Sequence, residues 1–256
     1  GLLALAAAAR ALPDRRSALE AEALTLWART QAVFGHPGGG YVASESGGNF
    51  LTDPMMHLLE AALAWVEVGE AVEWTQAAAA LTVLFETRLF RPQLGAVREA
   101  YDAAWTPIAS DDGAELEPGH QFEWAFLLGA SRALIGDRAA HPLSAVLLAA
   151  GERGVEAGLA RDGLDASFRI VQPGARLWPQ CERLRAWISV GGQSDAARVH
   201  ATQAALSVLR YLTERPAGAW ADQPLARGAT PTTALASTLY HLTGAIRALE
   251  MRFGIG

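Results

Sequence analysis

Lysine is absent from this chain of 256 residues, so all 21 of its basic residues are arginine. The absence excludes reactions that need a Schiff base on a lysine amine, and nucleotide binding through a Walker lysine. Cysteine is nearly absent as well, because Cys181 is the single one. It cannot form an intramolecular disulfide, which favours a cytoplasmic location.

Long apolar runs and basic segments are also missing. No window of about 18 residues is free of polar side chains, so no membrane-spanning helix is predicted. The formal net charge of −6 argues against nucleic acid and anionic membrane surfaces as partners. The opening GLLALAAAARAL lacks a basic segment before its apolar part, so it is typical of a helix rather than a signal peptide.

The chain is instead rich in apolar residues, which make up 51% of it and repeat with helical periodicity. Strand signals are few, and only the short runs GGYVA and GAVREAYD are candidates for hairpin arms. The pattern predicts nine helices, at residues 2–12, 15–34, 53–69, 71–90, 119–136, 138–160, 178–191, 195–214 and 233–251.

Three of these helices repeat one pattern, in which an early carboxylate is followed by an apolar body and a glycine turn. The carboxylates Glu60, Glu123 and Glu182 are spaced by 63 and 59 residues, and a similar step reaches Tyr240 and His241. The spacing predicts helical hairpins of about 60 residues that stack on one another. In this register the chain begins partway through a repeat. We therefore expect one domain over 1–256 that lacks the N-terminal hairpins.

The helices that follow long loops carry polar residues in their first turns, whereas the helices between them carry few. This alternation predicts an all-α fold of the (α/α)6-toroid type, with inner and outer helices; an open α-solenoid is the alternative. The polar residues of the inner helices are His57, Glu60, His120, Glu123, Glu182 and, further along its helix, His241.

Helix N-termini disfavour a charged imidazole, so histidines placed there stay available as bases. Two histidines on opposite walls of one pocket suit proton removal from one face of a carbon and delivery to the other. A buried histidine in the core is the plainer interpretation of each one alone. The spacing of these residues matches no compact set of metal ligands, so no metal is predicted.

Four motifs in order, MHLLEA, EPGHQFEWAFLL, RLWPQCERLRA and STLYHL, resemble the N-acylglucosamine 2-epimerase family over essentially the whole chain. The resemblance implies an (α/α)6 barrel that epimerises or isomerises an open-chain aldose at C2, without metal or other cofactor. It implies that His120 and His241 form the acid/base pair and that Glu123 supports His120.

The resemblance also implies that the sugar site contains His57, Trp178, Gln180 and Glu182. We place Glu60 and Trp124 in the same set of binding residues, although tryptophan is more often a core residue than a sugar platform. The absence of lysine favours an unphosphorylated sugar, whereas Arg98, Arg176 and Arg183 are the candidates for holding a phosphate.

Two other functions remain open. A glycoside hydrolase on the same toroid would use two carboxylates instead of two histidines. An inactive or truncated member would serve as a helical binding scaffold. Because fewer hairpins are present than a closed ring requires, an exposed apolar edge and a homo-oligomer are also expected.

Overall fold

The computed structural model describes residues 1–44, 48–137, 140–192, 194–212, 219–224 and 234–254. The described residues contain nine helices: α1 Leu2–Ala11, α2 Arg16–Phe34, α3 Thr52–Val68, α4 Val72–Leu84, α5 Pro118–Ile135, α6 Ala140–Glu152, α7 Leu177–Ser189, α8 Asp195–Leu212 and α9 Ala236–Phe253. None of these helices is long and apolar enough to cross a membrane. The prediction of nine helices is confirmed. The predicted ends at 138, 213–214 and 233 lie outside the described residues.

Two predicted helices end earlier than expected. The fourth was predicted to reach residue 90, but α4 ends at Leu84, before a π-helical turn and a short strand. The sixth was predicted to reach residue 160, but α6 ends at Glu152 and a β-hairpin follows. Glycines explain this second error, because a side chain at Gly154 would overlap the ring of Pro118. Ala157 and Gly158 then turn the chain with positive φ angles of 52° and 80°, as a two-residue hairpin loop requires.

The strands are short and lie in the loops between helices. They are β1 Phe50–Leu51, β2 Phe90–Arg91, β3 Ala96–Val97, β4 Ala100–Tyr101, β5 Pro107–Ile108, β6 Val155–Glu156, β7 Leu159–Ala160, β8 Gly163–Leu164 and β9 Ile170–Gln172. β1, β4 and β5 form one antiparallel sheet, in which Phe50 pairs with Tyr101, and β6–β7 and β8–β9 are hairpins. The strand signal in GAVREAYD is thus confirmed by β3 and β4.

The chain divides into two compact units. The first comprises Gly1–Pro92, Val97–Ile108 and Leu127–His141. In it α1 packs against α2 and α3, and α3 packs against α4. Two tryptophans hold the last pair together, because the rings of Trp65 and Trp74 stack with centroids 5.3 Å apart.

A buried carboxylate joins α2 to the start of α4. Glu20 accepts hydrogen bonds from the backbone N–H groups of Glu70 and Ala71, both at 2.9 Å, and from Trp74 Nε1 at 3.0 Å. A side chain at Gly69 would overlap this carboxylate, so glycine is required there. Glu20 therefore acts as a helix cap from a distant part of the chain, and its charge suits the positive end of α4.

The second unit comprises Gln93–Ala96, Ala109–Phe126 and Pro142–Gly256. Here α7 packs against both α8 and α9, around a core that includes Leu177, Leu184 and Tyr211. Contact between α7 and α9, like that between α1 and α3, brings together helices that are not consecutive. Alternating inner and outer helices predict such contacts, because every second helix belongs to the same layer. The prediction of one domain over 1–256 stays a prediction.

Candidate active site

The second unit contains an indole that contacts two histidines. A side chain at Gly119, in the first turn of α5, would overlap the ring of Trp178. The glycine therefore lets the indole of Trp178, in the first turn of α7, lie against α5. Pro118 and Gly119 begin α5, so the local sequence that starts the helix also makes room for the ring.

His120 and His241 both pack against Trp178. The ring centroids of His120 and Trp178 are 5.0 Å apart, and those of Trp178 and His241 are 5.3 Å apart. The planes are tilted by 39° and 38°. Two histidines that are far apart in sequence, on α5 and α9, thus meet at one aromatic ring. The imidazole of His120 is largely buried, and Trp178 is half-buried.

His241 is held by a carboxylate from α7. Its Nδ1 lies 2.8 Å from Oε1 of Glu182. An ionised carboxylate can only accept hydrogen bonds, so Nδ1 carries the proton of the neutral ring and Nε2 keeps the lone pair. Glu182 thereby fixes both the orientation of the imidazole and the nitrogen that can exchange a proton.

Glu182 is fully buried and is bound by Arg185, one turn later on α7. Nη1 of Arg185 donates to the two carboxylate oxygens at 2.7 and 2.9 Å. Burial on its own raises the pKa of Glu182, but the charge of Arg185 and the hydrogen bond from His241 outweigh it, so the pKa lies below its usual value. Glu182 is therefore a carboxylate at neutral pH.

Glu123 lies beside this pair. Its carboxylate, that of Glu182 and the ring of His241 each offer a ligand atom within 4.8 Å of the others. These three side chains could surround a cation, but Arg185 already places a positive charge on Glu182. The predicted role of Glu123 as the support of His120 stays a prediction.

Two arginines that were candidates for a phosphate site are paired with carboxylates. Arg176, whose guanidinium lies 5.4 Å from the Trp178 ring centroid, is bound by Glu117 at 2.8 Å and Asp162 at 3.1 Å. Burial on its own lowers the pKa of Arg176, but the effect of the two carboxylates is larger. The pKa of Arg176 therefore lies above its usual value. Arg183 is bound in the same way by Glu152, at 2.6 and 2.9 Å.

Gln180 and Trp124 lie where a sugar would have difficulty reaching them. The amide of Gln180 exchanges two hydrogen bonds of 2.9 Å with the backbone of Ala160, in β7. Trp124 is 0% exposed, so its ring belongs to the packed interior. Direct contact with a ligand would require Gln180 to leave its backbone partners and Trp124 to move. Their binding roles stay predictions.

His57 and Glu60 belong to the first unit. Nδ1 of His57 lies 3.3 Å from Oε2 of Glu60, and Nε2 lies 3.3 Å from Oδ1 of Asp53. The imidazole is 39% exposed, whereas Glu60 is buried. Both residues come from the first turns of α3, so the i, i+3 spacing seen in the sequence does produce a paired histidine.

Sequence reasoning missed Arg185 and Tyr240. Arg185 follows Glu182 at the i+3 spacing of a helical ion pair, a signal that is present in the sequence but common on solvated helix faces. The ring of Tyr240 meets His241 edge to face, with centroids 4.7 Å apart. Burial, which only the fold shows, distinguishes the Glu182–Arg185 pair from an ordinary surface pair. Cys181 is buried, and burial raises the pKa of its thiol.

Comparison with known proteins gives a consistent result. The sequence model described as "N-acylglucosamine 2-epimerase (GlcNAc 2-epimerase)" matches residues 1–245. A mannose-6-phosphate isomerase from Rhizobium meliloti is 32% identical over an alignment of 265 positions, which covers 97% of this chain and 67% of that protein.

Two solved structures show the same fold. A D-mannose isomerase superposes with a TM-score of 0.79 at 16% identity, over 98% of this chain and 70% of that one. A cellobiose 2-epimerase from Bacillus thermoamylovorans superposes with a TM-score of 0.81 at 17% identity, over 99% and 70% of the two chains. The predicted all-α fold of the helical toroid type is thereby confirmed.

Proposed function

We propose that this chain, which belongs to the N-acylglucosamine 2-epimerase family and is an enzyme of the sugar epimerase and isomerase class, acts on an open-chain aldose at C2. In this proposal His120 and His241 transfer the protons. The observation that carries the proposal is the contact of both imidazoles with Trp178, at 5.0 and 5.3 Å between ring centroids. The two rings are thus no further apart than the sum of these distances.

The reaction has a simple proton balance. A base takes the proton from C2, the C2–H bonding pair forms the C1–C2 double bond, and the carbonyl pair moves to O1 to give an enediolate. A proton returned to the opposite face of C2 gives the epimer. A proton delivered to C1, with transfer of the O2 proton to O1, gives the ketose. Neither outcome requires an oxidant, and each proton transfer contributes about 10²–10⁴ in rate.

The surroundings of the two histidines suit different roles. Glu182 stabilises the imidazolium that forms when Nε2 of His241 accepts a proton, so His241 is the better base. His120, in the first turn of α5, is assigned the return of a proton to the opposite face of C2. In the reverse reaction the roles exchange.

Trp178 is suited to hold the sugar between them. Its indole is half-buried, and the apolar face of a sugar chain packs well on an aromatic ring. A ligand that packed on this ring between the two imidazoles would lie next to both of them. Arg176, already bound to two carboxylates, is placed to anchor the loop beside the indole rather than to bind a phosphate.

Turnover of a panel of free aldoses, followed by NMR of the products, tests the proposal. His120→Gln and His241→Gln should each lower kcat by about 10²–10⁴. His200→Gln is the matched control, because His200 stacks on Trp187 at 4.2 Å and lies in the same unit without contacting Trp178. The proposal fails if no aldose is turned over, or if both variants keep the wild-type rate.

A carboxylate-based glycoside hydrolase is the second candidate, because Glu123 and Glu182 lie within 4.8 Å of each other. Both are 0% exposed, and Glu182 is bonded to Arg185 and His241. A nucleophile or general acid must reach the glycosidic bond, so this arrangement favours the histidine mechanism. Release of nitrophenol from nitrophenyl glycosides, with no change at C2 of any free aldose, would favour the hydrolase.

A further inference from the structure

Arg185 shares one carboxylate oxygen with His241. Oε1 of Glu182 accepts a hydrogen bond from Arg185 Nη1 at 2.7 Å and lies 2.8 Å from Nδ1 of His241. Arg185 is itself buried. The imidazole is therefore coupled to the guanidinium through a shared carboxylate oxygen.

The guanidinium is held in a narrow slot between two other helices. On one side its central carbon lies 4.1 Å from the ring centroid of Phe126, in α5. On the other side a Cβ at Gly244, in α9, would lie 3.2 Å from both Cζ and Nε of Arg185. Gly244 follows His241 by three residues, so the helix that presents the imidazole also leaves the space for the guanidinium.

We propose that Arg185 is a positioning residue for His241, because it fixes the carboxylate of Glu182 and balances its charge, so that His241 offers an unprotonated Nε2. The catalytic meaning of this role rests on the proposed function, whereas the coupling itself does not. The structure links Arg185 to the imidazole through Glu182. Nothing in this role requires it to contact the sugar.

The effect on protonation has a definite sign. The titratable and charged groups that face the Glu182–His241 pair come from three helices: Glu123 and, across Trp178, His120 from α5; Cys181 and Arg185 from α7; and Tyr240 from α9. Arg185 is the permanent cation among them. If Arg185 is replaced by a neutral residue, ionised Glu182 and neutral His241 form a buried pair with a net charge of −1. Such a pair binds a proton more readily than the same pair beside a cation, whether the proton goes to Glu182 or to His241.

The titration of His241 can be followed directly by NMR with histidine labelled at Cε1, since the chain has only six histidines. His241→Gln assigns the signal. In Arg185→Gln the midpoint of the His241 titration should be higher than in the wild type by about 1 pH unit or more. In Arg185→Lys, which keeps the charge, the midpoint should lie close to the wild-type value. The limb of the pH–rate profile that reports this pair should move in the same direction. If Arg185 had a purely structural role, its replacement would lower kcat but would change neither the His241 midpoint nor the pH–rate profile.

Arg183→Gln is the matched control. Arg183 lies on the same helix and is equally buried, but it is bonded to Glu152, so its loss should leave the His241 midpoint unchanged. If Arg185→Gln does not fold, Gly244→Ala carries the test, because its methyl group displaces the guanidinium while alanine favours the helix. Gly244→Ala should raise the His241 midpoint by less than Arg185→Gln would.

An unchanged midpoint in Arg185→Gln, or in Gly244→Ala where that variant alone folds, overturns the proposal. The midpoint is measured without sugar, so it is independent of turnover. A midpoint that moves as expected in an enzyme that turns over no aldose would reject the proposed function and leave the coupling between Arg185 and His241 intact.

Discussion

Trp178 is the residue on which the proposed site depends, because it contacts both imidazoles. Its position depends in turn on Gly119, whose missing side chain leaves room for the six-membered part of the indole. The sequence motif that begins α5 therefore has two functions. It starts the helix, and it sets how closely the indole approaches His120.

Gly119→Ala should displace Trp178 and lower kcat by about 10-fold or more, because a misplaced donor or acceptor is costly to proton transfer. The overlap should also destabilise the fold by about 1–3 kcal/mol. Turnover and urea unfolding measure the two effects. Wild-type kcat in a folded Gly119→Ala variant would show that the close approach of the indole is unimportant.

At the scale of elements, periodicity predicted every helix but did not predict where two of them end. Apolar spacing specifies a helix well over many residues, whereas β6 and β7 are only two residues each and leave no alternation to detect. The two histidines of the proposed site were singled out in the sequence because each stands in a motif. Arg185 was missed because only tertiary packing shows that its partner is buried.

The same limit applies to Glu20, which resembles any helix-surface glutamate in the sequence. Glu20→Gln should destabilise the protein by about 1–3 kcal/mol, because three donors at the start of α4 lose a charged acceptor. Glu22→Gln, an exposed glutamate on the same helix, is the control and should change the free energy of unfolding by less than about 0.5 kcal/mol. Equal effects of the two changes in urea unfolding would contradict the capping role.

At the scale of the whole molecule, the balance of charge bears on the substrate. The net charge is −6, and Arg176, whose guanidinium lies beside the indole, is bound by Glu117 and Asp162. We therefore expect kcat/KM for a free aldose to exceed that for the same aldose carrying a phosphate by about 10-fold or more, since each tenfold factor needs only about 1.4 kcal/mol. Added salt should bring the two kcat/KM values closer together, because it screens the repulsion between the acidic protein and the phosphate.

A phosphorylated aldose that reacts faster than the free sugar, with a preference that Arg176→Gln abolishes, would contradict this expectation. It would mean that Arg176 leaves its carboxylates when substrate binds. Arg183→Gln serves as the comparison, because Arg183, on α7, is paired with Glu152 at the end of α6.

Exchange of the C2 proton with deuterium in D₂O, followed by NMR of the aldose, is the most direct test of the two-histidine site. The wild-type enzyme should exchange this proton during turnover. His120→Gln and His241→Gln should each slow the exchange of the C2 proton by about 10²-fold or more, while His200→Gln should exchange it at the wild-type rate. Exchange at the wild-type rate in both His120→Gln and His241→Gln would contradict the account.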